Sequence, residues 1–297
     1  MKEDTASRTA IDQARIRAIE SLVAAERRVC YDPLAVVFLD ERFQRTYEVC
    51  QRSRFQRTLL ISAARRDPAG TKTEAVARTK YIDDYLQACV SSGVEQVVIL
   101  GAGYDSRAYR LDALKKVKVF EVDHPNTQKT KMARLKKTLG HLPSWVTYVP
   151  VDFEKDELDE KLAASGYKRD LRALFIWEGV TMYLTAESVD RTLAFVVANS
   201  GQGSSIIFNH WHRSAAEGNS KVKWAETVKR RCEQMGEPIR FGIEGSEIEA
   251  FMVARGFSEV KRVTASALTE LCFKATNSKR RVCPFTGIVH ATVGLSR

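Results

Sequence analysis

The stretch VVILGAGYDSRAYRL, residues 97 to 111, constrains this chain more than any other, because an apolar run breaks into a two-glycine turn and then reads as helix. Val97 to Leu100 are continuously apolar, the pattern of a short strand in a parallel sheet covered on both faces. Gly101 and Gly103 let the backbone turn sharply and approach a ligand with no Cβ in the way. Roughly 20 residues on, VKVFEVDHP (117 to 125) predicts a second strand ending in Asp123, where an acid can bind both hydroxyls of a ribose. The two elements together outline an adenosine site.

Charge narrows the choice of ligand. The pattern Gly101-x-Gly103-x-x-Ser106 lacks the third glycine of the dinucleotide fingerprint, and Asp105 stands inside the turn. A diphosphate seeks the positive end of the following helix and would be repelled by a carboxylate there. A cation would not. S-adenosylmethionine carries a sulfonium and an α-ammonium group, so acids at Asp105, Asp123 and Glu178 suit it better than NAD. The rival reading of the same residues is an NAD(P)-dependent oxidoreductase on a Rossmann fold.

At 297 residues the chain has room for one large α/β domain, or for a domain with a substantial appendage. Residues 1 to 92 read as helical, in the segments Arg8 to Val29, Pro33 to Phe38, around Glu41 to Leu60, and Lys72 to Val90, with RRDPAG (65 to 70) as a break. From Val94 onward strands alternate with helices. The strands are Gln96 to Leu100, Val117 to Asp123, Val146 to Val151, Leu171 to Trp177 and Ser204 to His210. Helices such as Pro125 to Leu139 and Ala186 to Asn199 are long enough for right-handed crossovers. The expectation is an α/β fold with a doubly wound, mostly parallel sheet. Phe257 to Thr264 and Val282 to Val293 add a terminal strand pair with an antiparallel C-terminal strand. Residues 1–92 form a helical N-terminal cap and residues 93–297 the nucleotide-binding domain.

No run reaches the ~18 uninterrupted apolar residues of a membrane span, and MKEDTASRTA has no apolar region of a secretory signal. Cys30, Cys50, Cys89, Cys232, Cys272 and Cys283 are scattered, with no C-x-x-C pair and no zinc-like histidine spacing, so no metal is expected. They read as thiols in a reducing compartment, which makes cytoplasmic residence the default. A net charge of +10 raises the question of nucleic acid. The arginines crowding the first 66 residues, however, lie at the helical spacing of a solvated face, and stacking aromatics are sparse among them. Nucleic acid is disfavoured as a partner, whereas an anionic acceptor fits the basic balance.

In a doubly wound sheet the ligand lies outside the carboxyl ends of the strands, so the residues just past each strand matter most. They are Gly101 to Arg107, Asp123 and His124, Asp152 and Phe153, Glu178 to Tyr183, and His210 to Arg213. Asp152 can accept from an adenine amine beside the Phe153 ring, or can cap a helix beginning near Lys155. A buried strand has little reason to finish on Glu178 unless something outside is positive, either a ligand ammonium or a neighbouring arginine. Glu121 lies deeper in its strand, as a second ligand or a structural ion-pair partner. On the acceptor side stand Tyr183, His210 and His212. The histidines can serve as bases for a hydroxyl acceptor, can hydrogen-bond a substrate carboxylate, or can simply cap or cover the next helix.

The motifs RTAIDQARIRAIES (8 to 21), YDPLAVVFL (31 to 39), ARTKYIDD (77 to 84), LGAGYDSRAYRL (100 to 111), VFEVDHP (119 to 125), VDF (151 to 153) and WEGVTMYL (177 to 184), in this order, resemble the leucine carboxyl methyltransferase family. Within it the chain resembles the bacterial branch of S-adenosylmethionine-dependent methyltransferases. The likeness spans roughly residues 8 to 215. It implies a class I methyltransferase (Rossmann-like) fold whose helical cap walls the acceptor, with S-adenosylmethionine as cofactor. It also places the arginine of the ART segment, Arg78, on the donor's carboxylate. The resemblance maps the glycine turn to Gly101 and Gly103, the ribose acid to Asp123, the adenine-side pair to Asp152 and Phe153, and the acid of the EG motif to Glu178. Lys80 stands where many relatives have arginine. The implied reaction is direct in-line transfer to a carboxylate of a small molecule or of a peptide C-terminus. A carboxylate is already ionised and needs no base, whereas a phenol or alcohol would need one. A nucleic-acid methyltransferase would carry an N/D-P-P-Y/F motif after the fourth strand, where WEGVTMYL stands without proline. The non-enzymatic alternative is a sensor that holds the donor without turnover.

Overall fold

Local sequence sets the elements in chain order, and the computed structural model describes them over residues 7–152, 156–274 and 278–294. Helix α1 (Arg8–Ser21) is followed by a 3-10 turn at Ala35–Phe38, then α2 (Glu41–Arg52), α3 (Arg54–Ala64) and α4 (Thr71–Ser91). The alternating region follows as β1 (Gln96–Leu100), α5 (Arg107–Arg110), β2 (Lys118–Asp123), α6 (Pro125–Leu139), β3 (Val146–Pro150), α7 (Leu158–Ala164), β4 (Ala173–Trp177), α8 (Ala186–Ala198) and β5 (Ser205–Trp211). Helices α9 (Arg213–Ala216), α10 (Ala225–Gln234) and α11 (Ile248–Val253) lead to β6 (Phe257–Thr264), α12 (Ala265–Phe273) and β7 (Thr286–Val293).

The strands form one sheet in the order β3-β2-β1-β4-β5-β7-β6. Strands β1 to β5 pair in parallel, and β7 runs antiparallel to both β5 and β6. This is the doubly wound, mostly parallel sheet with an antiparallel C-terminal strand that the sequence predicts. Strands β1, β4 and β5 are buried at every residue, as continuous apolar runs require when helices cover both faces. On one face Val97, Ile99, Ile176 and Ile207 pack with Val76, Ile82 and Leu86 of α4. On the other, Val98, Phe120, Phe175 and Phe208 pack with Val189, Leu193 and Val196 of α8. Helix α4 therefore shares its core with the sheet, although residue 92 looked like the end of a separate cap. Much of the rest of the N-terminal region packs in a third cluster shared with the glycine turn and α6, in which Phe38 stacks on Tyr104 at 5.0 Å and Leu135 joins Ala14, Ala18 and Leu22. Among the described residues no helix is long and apolar enough to cross a membrane, and all six cysteines are free thiols.

The expected boundaries miss most at three elements, two through a partner elsewhere in the chain and one through a local cap. Helix α1 stops at Ser21, not near Val29, because the chain folds back on the helix end: Val29 N donates to Glu20 Oε1 (2.9 Å) and Asp32 N to Ser21 Oγ (2.8 Å). The expected helix around Glu41 to Leu60 is split at Ser53, whose extended backbone ends α2 while its hydroxyl caps α3 through Gln56 N (3.3 Å). The last strand begins at Thr286 and not at Val282, since Cys283 N is already bonded to Gly70 O at 3.2 Å.

Glu121 takes the structural role. Its Oε2 lies 2.8 Å from Lys131 Nζ and accepts from the Tyr109 hydroxyl at 2.9 Å, and both charged residues are 1% exposed. Removing only the cation would strand a buried carboxylate. Lys131→Met is therefore expected to cost about 3–5 kcal/mol, and Glu121→Gln added to it should recover more than half of that loss. Urea unfolding midpoints measure both, and identical midpoints for the single and double variants would contradict the pairing.

Candidate functional site

Register at the strand tips builds the site. Ile99, Ile176 and Ile207 face one another across β1, β4 and β5, and Leu100 pairs with Val122 of β2. Extending each strand on the same parity lines up Asp123, Gly101, Glu178 and Asn209, in that order across the sheet. A row of apolar side chains thus gives way, one pleat further out, to a row of polar groups at the carboxyl edge. The row borders a cavity of about 1210 Å³, roofed by Ala10 and Gln13 of α1 and by Leu60, Ile61 and Ala64 of α3.

Gly101 lies at φ +68°, and a Cβ there would overlap Val180 Cγ2, so both conformation and space exclude a side chain. Gly103, at φ +43°, turns its N–H onto the Asp123 carboxylate, whose Oδ1 also accepts from His124 N at 2.6 Å. Burial raises the Asp123 carboxyl above its ordinary range, and those two N–H groups offset part of the rise. The acid is thereby fixed beside the glycine turn, with no guanidinium attached among the described residues.

The other acids are engaged. Asp105 folds back on the start of α5, where Oδ1 accepts from Arg107 N at 2.7 Å and Oδ2 pairs with Arg107 Nη1 at 2.5 Å. Arg107 is 3% exposed and also meets Asp83 (2.7 Å) and Glu178 Oε2 (2.6 Å). Arg78, on α4, gives Nε to Glu178 Oε1 (2.7 Å), Nη1 to both oxygens of Glu74 (2.7 Å) and Nη2 to Gln13 Oε1 (2.9 Å). Burial alone would raise the Glu178 carboxyl, but Arg107 and Arg78 outweigh it and hold it far below the ordinary carboxylate value. Of the two positive partners the sequence left open for Glu178, neighbouring arginines are what the structure contains.

Helix α5 is only four residues long, so no extended helix dipole points at the glycine turn. That, more than the paired Asp105, removes the feature a diphosphate would use. Asp152 also lines the cavity. Its N donates to Asp156 Oδ2 (2.9 Å), and α7 begins only at Leu158 with Glu157 in the N-cap position. Phe153 lies outside the described residues.

On the acceptor side the predicted residues separate. Tyr183, in the short 3-10 turn after β4, lines the cavity with Met182, Trp211, Met235 and Phe285, and burial pushes its hydroxyl up. His210 and His212 stack on each other at 5.7 Å and do not line the cavity. His210 has the opposite parity to Asn209, is fully buried, and is pushed down to about 4 by burial. Burial also lowers His212. The structure does not bring either histidine to the crevice as a base. A second cavity of about 1280 Å³, between the N-terminal helices and α6, gathers Arg27, Arg28, Arg54, Arg57 and Arg65 but includes no strand tip. Sequence reasoning missed Glu74, Gln13 and Asn209, and it named Arg107 only as the end of a strand-tip segment, without a role. Only Asn209 carried a local signal, since it stands two residues past Ile207 as Glu178 stands two past Ile176.

A solved structure from Thermobifida fusca, described provisionally as a methyltransferase, shares this fold with a TM-score of 0.56 over 94% of each chain at 13% identity. A Frankia alni protein, provisionally named an S-adenosyl-L-methionine-dependent methyltransferase, is 34% identical over 232 residues, covering 74% of this chain and 77% of its own. A Bacillus subtilis protein named in the same way is 29% identical over 219 residues, covering 73% and 71%. Fold, crevice and relatives together define an S-adenosylmethionine-dependent methyltransferase of class I. The leucine carboxyl methyltransferase family profile matches residues 10–197, and the chain belongs to that family.

The ion network makes stability acid-sensitive. Glu178 titrates lower folded than unfolded, so its pairing contributes stability above the ordinary carboxylate value of 4.5 and loses it as the pH falls below that value. Glu178→Gln is expected to lower the urea midpoint at neutral pH and to flatten its decline between about pH 5 and pH 3. An unchanged acid slope would show that Glu178 is not the group responsible.

Proposed function

We propose that the protein transfers a methyl group from S-adenosylmethionine to a carboxylate oxygen of a small molecule or peptide C-terminus by direct in-line displacement. The observation that carries this reading is a single cavity with polar groups, His124 among them, toward β1–β3 and a largely apolar chamber at β4–β5 whose described lining residues include no histidine. Family membership supports the carboxylate. Since a carboxylate is ionised at neutral pH, the protein need only align it with the sulfonium methyl and exclude water.

In this reading Asp123 takes the ribose hydroxyls beside Gly101 and Gly103, and Asp152 with Phe153 takes the adenine. Arg78 retains an Nη2 hydrogen beyond its bond to Gln13, which can meet the donor's carboxylate. Glu178, oriented by Arg78 and Arg107, accepts from the α-ammonium, and Asp105 holds Arg107 in place. The helices α1 and α3 wall the acceptor. Six free thiols suit a reducing compartment, and cytoplasmic residence belongs to the same reading.

Radiolabelled methyl transfer to fractionated metabolites, followed by mild base treatment, tests the reaction; a base-stable product would exclude an ester. Asp123→Ala should weaken S-adenosylhomocysteine binding by about 1–3 kcal/mol through lost charge-assisted hydrogen bonds, measured by calorimetry. His212→Asn should retain turnover, without the roughly 100- to 10,000-fold fall that removal of a general base brings.

A further inference from the structure

Asn209, two residues before the end of β5, lies one strand beyond Glu178 in the polar row, and it is 1% exposed while lining the cavity. Its Oδ1 accepts from Gly179 N at 2.7 Å, and its backbone oxygen accepts from the Thr181 hydroxyl at 2.7 Å. The first of these bonds settles which way the amide points, because the flipped form would set NH2 against N–H. Its Nδ2 is then a buried donor with no hydrogen-bond partner among the described residues. Such groups are rare in folded proteins, and this one belongs to a residue of the cavity wall, where a small side-chain rotation would offer it to a ligand acceptor.

We infer that the Asn209 side-chain NH2 holds the acceptor carboxylate against the donor's methyl group. The inference rests on the carboxylate reading above and deepens it with a binding residue and a substrate class. Position supports it: Asn209 is three strand spacings, ~14 Å, from Asp123, so it lies past the methionine end of a donor whose ribose sits at Asp123. Chemistry supports it as well. An amide NH2 only donates, so it suits an anionic oxygen and is mismatched to the donor's ammonium. Met182, Trp211, Met235 and Phe285 surround the chamber beyond, so the acceptor is an acid with an apolar body. Glu237, an acid on the same wall, is engaged by the hydroxyls of Ser7 (2.8 Å) and Thr9. In the transfer, a lone pair of the carboxylate oxygen forms the O–CH3 bond. The S–CH3 bond breaks with its electron pair going to sulfur, the sulfonium becomes a neutral thioether, and no proton moves.

Calorimetry on the protein saturated with S-adenosylhomocysteine, titrated with phenylacetate, indole-3-acetate and octanoate, tests this. Asn209→Asp keeps an acceptor for Gly179 N–H and replaces the donor with a like charge, while Asn209→Ser keeps a smaller donor. The expected result is uptake of at least one acid by the unaltered protein, an affinity loss of about tenfold or more in Asn209→Asp and a smaller one in Asn209→Ser. S-adenosylhomocysteine affinity should change by less than about twofold in both. Equal acid affinity across all three proteins overturns the inference, as does a fall in S-adenosylhomocysteine affinity with acid binding unchanged, or uptake of no acid. Binding of 2-phenylethanol in place of phenylacetate sinks the carboxylate reading itself, whereas acid binding indifferent to the substitutions sinks only the role of Asn209.

Discussion

Three buried guanidiniums, those of Arg78, Arg107 and Arg110, hold the crevice together, and their carboxylate partners come from separate parts of the chain. Arg107 joins Asp83 of α4, Asp105 of the glycine turn and Glu178 at the tip of β4. Arg78 joins α4 to β4 and, through Gln13, to α1. Arg110 meets Asp83 at 2.7 Å. Taking so many charges out of water costs several kcal/mol per ion, which well-placed partners recover only with good geometry. What the arrangement secures is position: each carboxylate is oriented before any ligand arrives, so alignment at the reacting centre is built during folding.

That network also changes what selects the ligand. Read from composition, the strand tips look negatively lined and therefore attractive to a sulfonium. In the folded protein Asp105 and Glu178 are each matched by arginine, and Asp123 is the acid fixed by backbone N–H groups alone. Selection then depends less on net negative charge than on where single groups stand along the row from Asp123 to Asn209. The short α5 acts in the same direction, because without a long helix behind the glycine turn there is little for a diphosphate to bind.

Much of the architecture was legible in the sequence. An apolar run marked β1 to the residue, and the bounds expected for β6 and for α6, which starts at Pro125, also hold to the residue, since these signals are local. The misplaced ends of α1 and β7 arise where a backbone N–H finds a partner outside its own segment, which periodicity does not encode, and the break at Ser53 is a local cap inside an otherwise helical pattern. The site divides along the same line. Asp123 and Glu178 were legible because a carboxylate closing an apolar strand is conspicuous. Arg107 stands in the sequence reading only as the end of the segment Gly101 to Arg107 with no role of its own, and the segment expected to matter after the fifth strand begins at His210, one residue past Asn209.

By itself, the sequence determined the order of strands and helices, the glycine turn, the acids at the strand ends and the family. These depend on the spacing of residue types along one segment, where side-chain periodicity and backbone freedom suffice. Only the tertiary structure decided which charges cancel, that α4 belongs to the sheet, and that Asn209 rather than His210 faces the cavity. Those outcomes turn on register between strands, where a shift of one residue reverses every side chain, and on ion pairs between residues as far apart in sequence as Arg78 and Glu178.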